Sequence, residues 1–218
     1  MMKVSRVDVS NDDLSDPNNN VWQSLAGEEF PLVPTPLKGN PAIKKISPFI
    51  EKSTDHGVVN QVSVASAHNG NILAVHLVWE SERHDKMVDL DEFVDGAAVM
   101  FPLTPNASAF LMGSPSDPVN AWYWKGNVGK HGFDVIAQGY GTSARSRSAH
   151  QPINSAANHV DGKWHLVMSR TLSVEDNRAK FEPGLATRMA FAVWDGGNRE
   201  RAGRKSFSGD FIHVDIDP

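Results

Sequence analysis

Val59-Asn-Gln-Val-Ser-Val-Ala-Ser-Ala67, Asn69-Gly70 and Ile72-Leu-Ala-Val-His-Leu-Val-Trp-Glu80 decide the fold class. The first run alternates around Val62 and Val64, and the last alternates again, so both read as β-strands of period two. The Asn-Gly pair between them is a tight-turn signal, which makes the whole stretch a hairpin. Working outward, strand character recurs over residues 97–103, 121–124, 133–140, 163–171, 187–194 and 211–216, with Asp161-Gly162 and Gly139-Tyr-Gly141 as punctuation. Many short strands separated by turns, with weak helical periodicity, predict an all-β protein. The expected fold is an antiparallel β-sandwich with a few short helices and long loops.

The chain of 218 residues is expected to form a single domain over 1–218, and its 40% hydrophobic content suffices for one sizeable core. Residues 1–45 read as an extended N-terminal arm wrapping the body. The first twenty are polar and turn-rich, Asn20 is placed to cap a short helix anchored by Trp22, and Pro31, Pro34, Pro36 and Pro41 forbid long regular structure. Residues 142–158 read as a long Ser-rich loop holding Arg145 and Arg147, and loops of that length are usually functional or flexible.

The net charge of -5 argues against a nucleic-acid partner, because the one local basic cluster is the short run from Arg199 to Lys205. No apolar run is long enough to span a bilayer. The chain has no cysteine, so it offers no disulfide, no thiolate metal site and no iron–sulfur ligand, and it lacks the C-x-x-C-H signature of covalent haem attachment. The first residues, Met1-Met-Lys-Val-Ser-Arg, lack the apolar centre of a signal peptide, which fits either a cytoplasmic protein or the mature end of an exported one.

Two segments gather residues with chemistry. In Phe110-Leu-Met-Gly-Ser-Pro-Ser-Asp-Pro118, Met112 is followed by Gly113 and two prolines, so it falls at a strand end or in a loop, where a thioether can face a pocket mouth. A methionine also fills gaps in a core, and Met100 within residues 97–102 is a rival for any ligand role. In Phe191-Ala-Val-Trp-Asp-Gly-Gly-Asn-Arg-Glu-Arg-Ala-Gly-Arg-Lys-Ser206, a strand ends at Trp194 and a Gly-rich turn returns Lys205 toward the end of the sandwich. Trp122 and Trp124 share one side of a strand, as core or as the wall of an apolar ligand site. Exposed Trp122, Trp124 and Trp194 would alternatively suit a carbohydrate-binding or small-ligand module. None of the nine histidines forms an H-E-x-x-H or i, i+4 pair; His131 and His150, near loops, are fallback metal ligands. No P-loop, nucleophile elbow or complete dinucleotide fingerprint is present.

These two segments, together with residues 133–142 and 161–170, resemble the haem b-binding γ subunits of the ethylbenzene dehydrogenase type. Relatives of that type serve chlorate reductase, selenate reductase and dimethylsulfide dehydrogenase, the type II DMSO reductase family complexes. The resemblance runs from residue 59 to the C-terminus and implies one non-covalent haem b at one end of the sandwich, with Met112 and Lys205 as axial ligands. It implies an electron-transfer subunit with no catalysis of its own. Its partners would be an Fe–S β subunit, a molybdenum catalytic α subunit and a soluble cytochrome c, in the periplasm. Around such a haem, Trp122 and Trp124 are expected as a wall, while Asn120 and Arg204 are placed to meet a propionate. Met and neutral Lys ligands add no negative charge, so a fairly high potential is expected.

Overall fold

The computed structural model describes residues 2–86, 93–146, 152–174 and 177–218. In chain order the strands are β1 (Met2–Arg6), β2 (Glu28–Pro31), β3 (Val33–Pro34), β4 (Gln61–His68), β5 (Ile72–Glu80), β6 (Gly96–Pro102), β7 (Val119–Lys125), β8 (Phe133–Ala137), β9 (Ala144–Ser146), β10 (Asn154–Val160), β11 (Lys163–Thr171), β12 (Ala186–Trp194), β13 (Ser206–Phe207) and β14 (Ile212–Ile216). Four short helices accompany them: α1 (Asn11–Ser15), α2 (Val21–Ser24), α3 (Pro41–Ile46) and α4 (Pro48–Glu51).

The hairpin forms as its sequence predicts, with Ser63 opposite Val78 and His68 opposite Leu73. Its turn is built by Asn69, whose side-chain oxygen accepts from the backbone N–H groups of Asn71 and Ile72, and by Gly70 at φ 87°. One layer runs β10-β11-β5-β4-β1-β14-β12 and the other β12-β6-β7-β8-β9. β12 belongs to both. Its residues from Ala186 to Met189 pair with β14, and those from Ala190 to Trp194 pair with β6. The main core fills the space between the layers, where Val62, Val64, Leu77, Trp79, Trp164 and Leu166 meet Val99, Phe101, Trp122, Trp124, Phe191 and Val193. The all-β sandwich expectation therefore holds, and most strand pairs are antiparallel.

The N-terminal arm needs correction. β1 lies inside the first sheet, parallel to both β14 and β4, with Met2 and Val4 buried in the core. β2 pairs with β4 and β3 with β13. The rest of the segment does wrap: α1 and α2 lay Leu14 and Trp22 on the outer face of the first sheet, against Ala65, Ala67, Ala74 and Val167. Asn20 precedes α2 as expected but makes no side-chain cap bond.

Residues 142–158 also hold more structure than a loop, since they supply β9 and β10. β10 turns into β11 through Asp161 and Gly162, both at positive φ, the geometry that matches the twist of a two-residue hairpin. Arg147 and His150 lie outside the described residues.

Candidate functional site

The outer face of the second sheet carries an open apolar cleft of about 300 Å³. Strand alternation makes its floor. In β7, Trp122 and Trp124 point into the core, so Ala121 and Tyr123 point outward. Cross-strand partners continue the rows: Ala190, Met100, Ala121 and Val135 stand side by side, and Ala192, Ala98 and Tyr123 form the next row. Four alanines at adjacent positions give a flat platform, which suits a planar ligand laid against the sheet.

The walls come from three places. α3 and α4 contribute Ile43, Ile46 and Ile50. Asn40 caps α3 through its side-chain oxygen, Pro41 opens it, and Pro48 opens α4, so this helix pair is short by construction.

The second wall is the turn before β7, which brings Ala109, Phe110 and Met112 to the cleft. Met112 stands at φ 56°, a left-handed conformation rare for its type. Hydrogen bonds hold it there: its N–H donates to Ala109 O at 3.1 Å, and its carbonyl accepts from Gly139 N–H at 2.9 Å. Gly113 beside it is obligatory, because a Cβ would meet the carbonyl oxygens of Asp117 and Ala137 at 2.8 and 2.9 Å. Tyr140 OH donates to Phe110 O at 2.5 Å, tying this turn to the end of β8.

The third wall is the segment after β12, which brings Trp194, Gly203, Lys205 and Phe207 to the cleft. Buried Glu200 fixes it, accepting from the backbone N–H groups of Gly57, Val58 and Asp195. Lys205 O accepts from Thr35 N–H and Oγ1, which pins the backbone and leaves the side chain to enter the cleft. Lys205 is 6% exposed, and burial pushes its ammonium down to about 8. Its Nζ stands 5.5 Å from the Trp194 ring centre. Among the described residues it has no hydrogen-bond or ion-pair partner. A buried amine without a partner is costly unless something in the cleft takes its lone pair.

Met112 and Lys205 thus lie on one cleft, and together they offer a thioether and an amine to a ligand between them. Met100 lines it too, as part of the floor. The other expected site residues lie elsewhere. Trp122 and Trp124 are 0% and 2% exposed within the core, so they form no wall and no sugar platform; Trp194 alone of the three tryptophans reaches the cleft. Asn120 is fully buried on the core side. Its Nδ2 donates to Asp134 Oδ1 and Val135 O, while its Oδ1 accepts from Arg170 and Ala179, which exhausts its bonding capacity. Arg204 turns away and donates to the Asp55 carbonyl and carboxylate at 3.2 Å. His131 is exposed and makes a backbone bridge to Asn154, away from the cleft.

Sequence reading missed the alanine floor and Tyr123, and it noted Arg145 in a Ser-rich loop without bringing it to the cleft. The available signal was the small outward set, Ala98, Ala121 and Ala192, alternating with Val99, Trp122 and Phe191. A second hollow, of about 670 Å³, is larger but carries mixed charges (Glu29, Glu80, Glu82, Arg83 and Lys163) and no paired donor set. At its edge, where Asp195 lines it, oxygens of Asp85, Asp95 and Asp195 lie within 4.8 Å of one another. Asp95 there is committed to the fold, accepting from Gly196 N–H, Trp164 Nε1 and Ser81 Oγ.

The ethylbenzene dehydrogenase family matches residues 19–151 and 134–206. The chain belongs to that family. Among relatives of this ethylbenzene dehydrogenase-family chain, ORF7 of Haloferax mediterranei, provisionally named a respiratory nitrate reductase heme subunit, is 30% identical over 96% of this chain and 71% of its own length. Chlorate reductase subunit gamma of Ideonella dechloratans is 34% identical over 62% of this chain, and dimethylsulfide dehydrogenase subunit gamma of Rhodovulum sulfidophilum is 31% identical over 66%. This chain spans 56% of the length of each of those two. Solved structures extend the fold of the family member more widely. A family 9 carbohydrate-binding module from Caldicellulosiruptor kristjanssonii superposes with a TM-score of 0.54 at 10% identity, covering 99% of this chain and 95% of that one. A protein from Bacteroides uniformis, provisionally named carbohydrate-binding, does so at 0.55 and 9% identity, covering 99% and 98%. At such identities the likeness is one of fold.

Proposed function

We propose that this chain is an electron-transfer subunit carrying one non-covalent haem b in the cleft, with Met112 and Lys205 as axial ligands. On this reading it relays electrons between the Fe–S subunit of a periplasmic molybdenum oxidoreductase and a soluble cytochrome c, and performs no substrate chemistry itself. One observation carries the reading: Met112 and Lys205, from distant turns, line the same apolar, alanine-floored cleft, and Lys205 has no other polar partner among the described residues. The relatives named as heme and gamma subunits support it. No helix among the described residues is long and apolar enough to cross a membrane.

The donor set fits the group. A thioether and an amine that burial makes easy to deprotonate can both ligate iron, and the floor admits a flat macrocycle. Gly203 keeps the wall thin, since a Cβ there would press on Leu37 at 3.1 Å. When bound, the haem would supply the one-electron carrier. The chain's residues would hold it, fill both axial positions and keep water from its faces.

The test is the visible spectrum of the purified chain, oxidised and then dithionite-reduced, before and after addition of hemin. Sharp α and β bands in the reduced protein, lost in Lys205→Ala and altered in Met112→Leu but not in Met100→Leu, are expected. A protein that stays colourless with hemin present overturns the reading, and unchanged spectra in both ligand variants overturn the ligand assignment.

A further inference from the structure

Both side chains first expected to meet the anionic edge of a ligand, Asn120 and Arg204, are engaged elsewhere. The cleft nevertheless has a guanidinium. Arg145 lines it from β9, directly across from Val135, and so stands in the row that continues through Ala121, Met100 and Ala190. Directly opposed residues share a face of the sheet, so Arg145 stands on the ligand side, at the end of the floor remote from β13 and Lys205.

Three observations mark it as a binding group. The guanidinium rests on two rings, with its carbon 5.0 Å from the Tyr123 centre and 5.7 Å from the Phe133 centre, which holds it at the cleft. Arg145 is exposed and has no carboxylate partner among the described residues, and no carboxylate lines the cleft. A second cation stands near: Lys125 follows Tyr123 by two residues on β7 and so shares its face of the sheet, and burial and the charge of Arg145 hold its ammonium below its usual value. Two neighbouring cations beside an apolar cleft, with no carboxylate among the described residues that line it, form a site for an anion. The Arg fork matches a carboxylate in two parallel hydrogen bonds.

We propose that Arg145, with Lys125 beside it, grips the carboxylate edge of the cleft's planar ligand and so sets its orientation relative to Met112 and Lys205. This rests on the haem reading, whose macrocycle carries two propionates, and assigns their recognition to the β7–β9 end of the floor.

The experiment titrates hemin and hemin dimethyl ester, which lacks both carboxylates, into the full chain and follows quenching of tryptophan fluorescence, since Trp194 lies in the cleft. Arg145→Gln is expected to weaken hemin binding about tenfold and to leave the ester's affinity unchanged. Arg145→Lys should recover part of the loss, and Lys125→Ala should show a smaller one. Equal affinities of wild type and Arg145→Gln for hemin, or equal losses for hemin and ester, overturn the proposal while leaving the haem reading intact. Failure of the wild-type chain to bind either compound overturns both.

Discussion

Lys205 Nζ lies 5.5 Å from the centre of the Trp194 ring, in a cleft where none of the described lining residues is a carboxylate that could neutralise it. The indole face offers the ammonium partial compensation, worth about 1–2 kcal/mol. That is less than the cost of burying the charge, as the fall of the Lys205 pKa to about 8 records. The chain therefore retains a destabilising group on the wall of the cleft.

Removing that group should stabilise the empty protein. Lys205→Met keeps the volume and discards the charge, and denaturant unfolding at pH 7 should show a gain of roughly 2–3 kcal/mol. The folded-state pKa lies below the unfolded one, so wild-type stability rises between about pH 8 and 10.5 as the folded amine loses its proton first. In Lys205→Met that rise should vanish. An unchanged slope would show that the amine is better solvated than its burial indicates.

Blocking the floor should separate binding from folding. Ala121 points outward between Met100 and Val135, so Ala121→Leu adds bulk to the cleft and none to the core. Hemin affinity should fall by at least tenfold, while unfolding free energy changes by less than about 1 kcal/mol. Retained affinity would place the ligand elsewhere.

Gly113→Ala should damage both. Gly113 has φ 79°, and the atoms a Cβ would meet are backbone, which cannot give way as a side-chain tip can. A loss of roughly 2 kcal/mol or more is expected in unfolding, with Met112 displaced and the reduced spectrum altered.

Asp95 predicts an acid-side effect of opposite sense. Burial raises its carboxyl to about 6, against hydrogen bonds from Gly196 and Trp164 that favour the charged form. The folded pKa exceeds the unfolded one, so this group's contribution is full below about pH 4 and is lost as pH rises through about 6. Stability curves of wild type and Asp95→Asn should diverge in that window by an amount on the order of 3 kcal/mol. Parallel curves would mean that the carboxylate is ionised throughout.

Much of the fold was legible because period-two alternation and turn chemistry are local. The hairpin at Asn69-Gly70 and the strand over residues 163–171 stand where the pattern puts them. β1 was illegible for the converse reason: the five residues that open a polar flank become a central strand only because Val214, remote in sequence, lies opposite Met2. Similar logic governs the cleft. Alternation shows that Trp122 and Trp124 share a face, and bulk decides which face is core, so the tryptophans went inside and Ala121 was left to form the floor. Local pattern put Met112 in a loop and Lys205 after a Gly-rich turn, but family resemblance alone paired them, since no local rule brings two turns to one cleft. Arg204 stands in a Gly-rich basic run and Arg145 in a Ser-rich stretch, and neither context says which guanidinium faces the cleft. Asp55 absorbs the first, and two aromatic rings orient the second.

β1 sits between β4 and β14, parallel to each. The seam it closes joins Met2–Arg6 to Ile212–Ile216, so the middle of that sheet stays unzipped until these two remote strands have met. Pairings this remote in sequence also slow folding, because loop closure precedes any reward from the contact. β12 is flanked by β14 over Ala186–Met189, and the floor leans on β12. The sheet face that carries the cleft therefore depends, through β12 and β14, on a closure made between strands remote in sequence.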